Sequence, residues 1–128
     1  ARSAVAAEAE GQPTLGHSHI IDNLDALEQG RIDGAAVPAI TRPALAWFSV
    51  DARGGAAHTG FDMVFDDLVK AAQLFGVAVF AQKNGFTSGA LGYFAGRLAE
   101  AGVAAIAVGL AAAASLASAR VCSLSWKT

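Results

Sequence analysis

Residues 44–81 have the sequence ALAWFSVDARGGAAHTGFDMVFDDLVKAAQLFGVAVFA, in which two short apolar runs flank a longer amphipathic one. The first run, 44–51, is short and partly aromatic or β-branched, which predicts a strand. Residues 61–75 repeat apolar side chains at helical spacing and are followed by Gly76, which predicts a helix with a glycine stop. Residues 77–81 form a continuous apolar run, typical of a strand covered on both faces.

The same patterns continue toward the carboxyl terminus. Residues 88–101 predict another helix, and residues 103–108 predict another buried strand. The alternation of strands and helices predicts the α/β class, as a layered α/β/α arrangement with a mixed sheet. Residues 121–128 are apolar and β-prone, and we expect them to need a partner strand from elsewhere. We therefore expect residues or a chain not present here to complete the sheet.

The amino-terminal third is predicted to be mainly helical. Residues 1–10 are a helix-forming run, and apolar positions from residue 20 up to Gly30 recur at helical spacing. Residues 31–43 contain two prolines and predict an extended connection. The sequence thus predicts a helical segment with a His-Ser-His loop over residues 1–43 and a partial α/β sheet domain over residues 44–128.

Composition excludes several classes of protein. Of the 128 residues, 54% are hydrophobic and 16% are charged, so the chain can bury enough apolar surface to fold. A net charge of -2 provides no basic field for nucleic acid, which is not expected as a partner. The single Cys122 cannot form an internal disulfide, which indicates a reducing, cytoplasmic location. The uncharged run 101–119 consists mostly of Ala, Gly and Ser, so no membrane span is predicted.

The densest polar cluster is His17-Ser18-His19, placed just before a predicted helix. Two imidazoles and a hydroxyl at a helix start could hold an anion or supply an acid/base. In the alternative interpretation, Ser18 caps the helix and the histidines are incidental. The spacing matches no zinc pattern, and no metal is predicted.

Two loops between strands and helices provide further candidates. The glycine-bearing loop 51–60 lacks the Rossmann fingerprint and the P-loop lysine. His58 lies in this loop and is either a site residue or a residue at the start of a helix. The turn 84–89 contains Asn84, Thr87 and Ser88, and its backbone amides could hold a carboxylate or phosphate. The alternative is a simple capped turn.

Three segments carry a resemblance to a known family. They are Glu8 to His19 with the later Leu27-Glu28-Gln29-Gly30-Arg31-Ile32, then Phe75 to Gly89, and then Ala90-Leu91-Gly92-Tyr93-Phe94. Together they resemble the NAD(P)-dependent malate/L-lactate dehydrogenase-like oxidoreductases, which are unrelated to the Rossmann enzymes. That family includes ureidoglycolate and sulfolactate dehydrogenases and diketogulonate and piperideine-carboxylate reductases.

The resemblance implies a site and a chemistry. Ser18 and His19 match the family's Ser-His pair, whose His exchanges a proton with the substrate while hydride moves to or from NAD(P). The resemblance implies that His19 is the acid/base and that Ser18 orients His19 or the substrate. The substrate would be a 2-hydroxy or 2-oxo acid or a cyclic imino acid. This sequence departs from the pattern at Ile20, which replaces a Gly, near Asn23, where the family has an Arg, and at Thr87, which replaces a His. The candidate substrate contacts are His17, Asn23, His58, Asn84, Thr87 and Ser88.

Two alternatives to the dehydrogenase remain open. On the same scaffold, this chain would be the amino-terminal chain of an autoprocessed two-chain amidohydrolase, which needs no cofactor. The other alternative is a non-catalytic subunit whose open sheet edge docks on another chain. Besides a small-molecule substrate, the expected partners are a second polypeptide or a missing carboxyl-terminal segment, and a homo- or hetero-oligomer.

Overall fold

The computed structural model describes residues 1–109 and 120–122, which form two compact units. The terminal unit consists of Ala1–Ile20 and the described residues from Gly89 onward, and the central unit is Ile21–Ser88. Helices and strands follow in the order α1 (Arg2–Ala9), a short 3₁₀ helix (Pro13–Leu15), α2 (His17–Glu28), β1 (Ala39–Ala44), β2 (Trp47–Asp51), α3 (Ala57–Phe75), β3 (Val79–Lys83), α4 (Leu91–Glu100), β4 (Ala107–Gly109) and β5 (Arg120–Cys122). The α/β class is confirmed.

The sheet of the central unit is mixed, as predicted. Strand β1 pairs antiparallel with β2, and β2 pairs parallel with β3, with Asp51 opposite Lys83 at their carboxyl ends. Because the carboxyl ends of parallel strands lie at the same edge of a sheet, the residues that follow β2 and β3 lie close together.

The hairpin of β1 and β2 corrects two predictions. The strand predicted over residues 44–51 begins only at Trp47, and part of the predicted extended connection 31–43 forms β1. The turn between the strands carries no glycine and so gave no turn signal in the sequence. Arg42 holds it instead, because its Nε donates to the Leu45 carbonyl at 3.0 Å while its guanidinium lies 4.6 Å from the Phe48 ring centroid.

Helix α3 supplies the core of the central unit. Phe61 is 2% exposed, and its ring packs edge-to-face against Phe65 and Phe80 with centroids 5.5 Å apart in both pairs. The helix ends as predicted at Gly76, whose φ of +79° lets its N–H donate to the Ala72 carbonyl. It begins at Ala57, four residues earlier than the predicted start.

Strand β3 differs from its prediction in position and in burial. It begins at Val79 rather than at residue 77, and Val79 is 49% exposed. In the described sheet, β3 has only β2 as a neighbour and forms an edge. Val79, Ala81 and Lys83, which share one face of β3, are exposed, so the prediction of a strand covered on both faces is wrong for the described residues.

The terminal unit packs small residues closely. Helix α1 contacts α4, and the buried residues there are Ala4, Ala7, Phe94 and Ala95. Of the predicted strand 103–108, only residues 107 and 108 form part of β4, which pairs antiparallel with β5 in a separate two-stranded sheet of the described residues. Val108 is 59% exposed, so the prediction that this strand is buried is wrong for the described residues. Val121 and Cys122 thus have one partner strand, β4, inside the chain. The rest of that run, 123–128, lies outside the described residues.

The predicted division between residues 43 and 44 falls inside β1, and as a domain boundary it stays a prediction. Across residues 1–109 and 120–122, no helix combines the length and the apolar character that crossing a bilayer requires. Most of the uncharged run 101–119 lies outside the described residues.

Candidate active site

The His-Ser-His cluster lies in the first turn of a helix and not in a loop. Helix α2 begins at His17, three residues before the predicted start. Ser18 is therefore inside the first turn, which removes the interpretation of Ser18 as the residue ahead of the helix. His17 and Ser18 are exposed, whereas His19 is half-buried.

The carboxylate of Glu8, a residue of α1, accepts hydrogen bonds at the amino-terminal end of α2. Its Oε1 accepts the backbone N–H of His17 at 2.9 Å and lies 2.8 Å from Nδ1 of the same residue. The first N–H groups of a helix have no acceptor within the helix, so this carboxylate takes the place of a capping side chain. The hydrogen bond from the His17 backbone, followed by that from its ring, lowers the pKa of Glu8 below its ordinary value.

His19 has a different environment from its neighbour. Its Nε2 is shielded from solvent and has no hydrogen-bond partner among the described residues. Gly89 borders this edge of the ring, since a Cβ on Gly89 would lie 3.4 Å from Nε2. A shielded ring nitrogen without a partner is costly, which favours an external group as its partner. His19 is thus the residue of the cluster that is best suited to exchange a proton with a ligand.

A second polar cluster lies at the carboxyl ends of β2 and β3 in the central unit. Oδ1 of Asp51 accepts Nδ2 of Asn84 and the backbone N–H of Arg53, both at 3.0 Å. Its Oδ2 lies 3.6 Å from Nζ of Lys83. These contacts, with the Asn84 hydrogen bond the largest, lower the pKa of Asp51. Arg53 and Asn84 both have left-handed backbones, with φ of +53° and +54°, so the carboxylate stabilises two tight turns.

Gln82 is a further polar residue of this region, and the sequence patterns did not indicate that it belongs to a site. A Cβ on Gly60 would lie 2.7 Å from its Oε1, and a Cβ on Gly85 would lie 2.9 Å from its Nε2. The side chain therefore fills the space that two glycines leave open. Oε1 is shielded and has no hydrogen-bond partner in the described part of the chain. The available signal was a Gln near the end of an otherwise apolar strand.

The remaining candidates lie in the central unit. Asn23 is half-buried in α2, and its Oδ1 is shielded without a hydrogen-bond partner among the described residues. His58 is half-buried in the first turn of α3. This position fits the alternative interpretation, in which His58 is only a residue at the start of a helix. Thr87 and Ser88 precede α4, which begins at Leu91 and not at Ser88. The catalytic roles of Ser18 and His19 stay predictions. So do the substrate contacts, which are His17, Asn23, His58, Asn84, Thr87 and Ser88.

The loop between β2 and α3 does not fit the pyrophosphate of NAD(P), the cofactor that the resemblance implies. A phosphate cradle needs free backbone N–H groups, but those of Arg53, Gly54 and Gly55 donate to Asp51, Asn84 and Ala52. The Asp51 carboxylate adds a negative charge at the same place. In the described ranges, no three His, Cys, Asp or Glu side chains are grouped to hold a metal ion.

Comparisons with known proteins agree on one family. The family model for malate/L-lactate dehydrogenase matches residues 1–119. Delta1-piperideine-2-carboxylate reductase from Pseudomonas syringae pvar. tomato is 28% identical in sequence to this chain. Its crystal structure matches with a TM-score of 0.72 over 77% of this chain and 30% of that chain. Malate dehydrogenase from Entamoeba histolytica is 22% identical, with a TM-score of 0.72 over 79% of this chain and 28% of that chain, and shares the fold.

The chain spans less than a third of the length of these solved structures. No curated protein sequence matches it. Because the family model covers nearly all of the chain, including every candidate site residue, the chain belongs to the malate/L-lactate dehydrogenase family.

Proposed function

We propose that this chain forms part of an oxidoreductase that interconverts a 2-hydroxy and a 2-oxo acid, or reduces a cyclic imino acid, with NAD(P) as its redox partner. Membership of the malate/L-lactate dehydrogenase family supports the reaction class. The 28% identity to a piperideine-carboxylate reductase supports the cyclic imino acid as an alternative substrate. No match supports the amidohydrolase.

The observation that carries the proposal is the shielded Nε2 of His19, which has no partner among the described residues. In the oxidation of a hydroxy acid, Nε2 accepts the proton of the hydroxyl group. In the reverse direction, Nε2 donates that proton to the oxygen of the oxo group or to the nitrogen of the imine. Because the loop after β2 does not fit the cofactor, we assign only this proton exchange to the described residues.

We also propose the setting in which this chemistry takes place. A carboxyl-terminal segment or a second polypeptide would complete the enzyme, since the similar solved structures are more than three times as long as the part that matches. The enzyme would act as a homo- or hetero-oligomer. A location in the cytoplasm would be in keeping with its single cysteine.

The test uses the full-length enzyme with NADH and NADPH and two substrate classes, a short 2-oxo acid and a cyclic imino acid. We expect one class to cause oxidation of the nucleotide, measured by its absorbance, and no amide substrate to be hydrolysed. Amide hydrolysis without nucleotide oxidation would overturn the proposal in favour of the hydrolase. Absence of both activities would favour the non-catalytic subunit.

A further inference from the structure

We infer that Glu8 is a positioning residue for His19, acting through the first turn of α2. The inference rests on the proposed function, since it concerns the placement of the proton-exchanging ring. Glu8 lies on a different helix from His19, and no spacing rule in the sequence connects the two residues.

The contact between Glu8 and α2 fixes the point where the helix begins. Oε1 accepts the N–H of His17, the first residue of α2, and faces the His17 ring. A carboxylate at this end of a helix also interacts favourably with the helix dipole. His19 follows two residues later in the same turn, so the direction of its side chain depends on where this turn is held.

A second observation shows that the chain leaves room for this carboxylate. A Cβ on Gly16 would overlap the carboxylate and the Cγ of Glu8. Gly16 is buried immediately before α2. Its missing side chain therefore allows Glu8 to reach the first N–H group of the helix.

The proposed proton exchange limits how far Nε2 of His19 can move. Gly89 borders Nε2, and a Cβ at that position would lie 3.4 Å away, at ordinary van der Waals distance. Proton transfer needs the two heavy atoms at hydrogen-bond distance, about 2.6–3.2 Å apart. A shift of α2 by a fraction of this distance would move Nε2 out of reach of its substrate.

The first part of the test compares three variants of the full-length enzyme. We expect Glu8→Ala to lower kcat about tenfold or more with little change in KM, because a displaced acid/base weakens only the transition state. Glu8→Gln keeps an oxygen that accepts the His17 N–H and should recover most of kcat. Glu10→Ala removes the same charge at the exposed end of α1 and is the matched control.

The second part separates positioning from a general loss of structure. If Glu8 acts through His19, Glu8→Ala will cause no further loss of kcat in a His19→Gln background. An equal fold loss in both backgrounds, or an unchanged kcat in Glu8→Ala, would overturn the inference. Where Glu8→Ala does not fold, Glu8→Asp, with its shorter carboxylate, carries the same comparison. Unchanged kcat in His19→Gln would instead overturn the assignment of proton exchange to His19, whereas the absence of nucleotide oxidation in the parent enzyme would overturn the proposed function.

Discussion

Glu8 in the terminal unit and Asp51 in the central unit each accept two hydrogen bonds through one carboxylate oxygen. In both cases one donor is a backbone N–H group and the other is a side chain, and in both cases the pKa of the carboxyl is lowered. The two carboxylates differ in what they hold. Glu8 holds the helix turn that carries His19, whereas Asp51 holds two exposed residues in left-handed conformations.

The difference shows that a carboxylate that accepts two hydrogen bonds can position a functional residue in one place and stabilise turns in another. The turn that Glu8 holds carries His19, whose Nε2 is shielded and has no hydrogen-bond partner among the described residues, and we propose this nitrogen as the point of proton exchange. Beside Asp51 the bonded groups are the turn residues themselves, and the amides of the following loop are used internally. A hydrogen-bonded carboxylate side chain therefore does not by itself indicate a functional site, because the groups around it decide its role.

The packing of the central unit provides the largest expected effect. A Cβ on Gly60 would lie 2.6 Å from Cγ1 of Val50 and 2.7 Å from Oε1 of Gln82, so Gly60→Ala should destabilise the protein by about 1–3 kcal/mol. Gly96→Ala, in helix α4, meets no atom within 4 Å and should stabilise by about 0.5–1 kcal/mol. Urea unfolding measures both free energies, and equal effects would mean that Val50 and Gln82 do not fill the space beside Gly60.

A second pair of glycines separates backbone strain from an effect on His19. Gly89 and Gly76 have φ of +64° and +79°, so an Ala at either position should cost about 1–2 kcal/mol of stability. Only Gly89 borders Nε2 of His19, and no atom would lie within 4 Å of a Cβ on Gly76. We expect Gly89→Ala to lower kcat beyond any loss in Gly76→Ala, and equal kcat values would contradict the placement of His19.

The smallest expected effect is the pH dependence of stability that both carboxylates produce. Their pKa values are lower in the folded than in the unfolded chain, so the unfolded chain binds protons first as the pH falls below about 4.5. This stability is present above the ordinary carboxyl pKa and is lost as the pH falls through the folded pKa. Urea unfolding across this range should show a shallower decline in Asp51→Asn and in Glu8→Gln than in the parent protein.

A second variant tests the cause of the shift at Asp51. Asn84→Ala removes the largest contribution to its lowered pKa while leaving the carboxyl group in place. We expect a shallower decline here too. An unchanged pH dependence would contradict the role of this hydrogen bond.

Local patterns were enough to predict the helices and the α/β class. Helix α3 was predicted through its apolar period and Gly76, because both signals lie within the segment itself. Strand β1 was missed, since its hairpin turn contains no glycine and depends on Arg42. The start of α2 at His17 was missed because its capping group is Glu8, nine residues earlier and on another helix.

The candidate site was predictable only in part. His19 was identified through its polar cluster and the family resemblance, but the contrast between His17 and His19 depends on tertiary contacts. Gln82 was missed because its neighbours, Gly60 and Gly85, are brought to it by the fold. A single sequence carries no signal for a contact of this kind.

Proton exchange at His19 is tested most directly by kcat of His19→Gln in the full-length enzyme at saturating substrate. We expect a fall of about a hundredfold, as for loss of an acid/base. Asp25→Asn, an exposed residue of the same helix, is the control and should keep the parent kcat. An unchanged kcat in His19→Gln, with the protein folded, would contradict the assignment of proton exchange to His19.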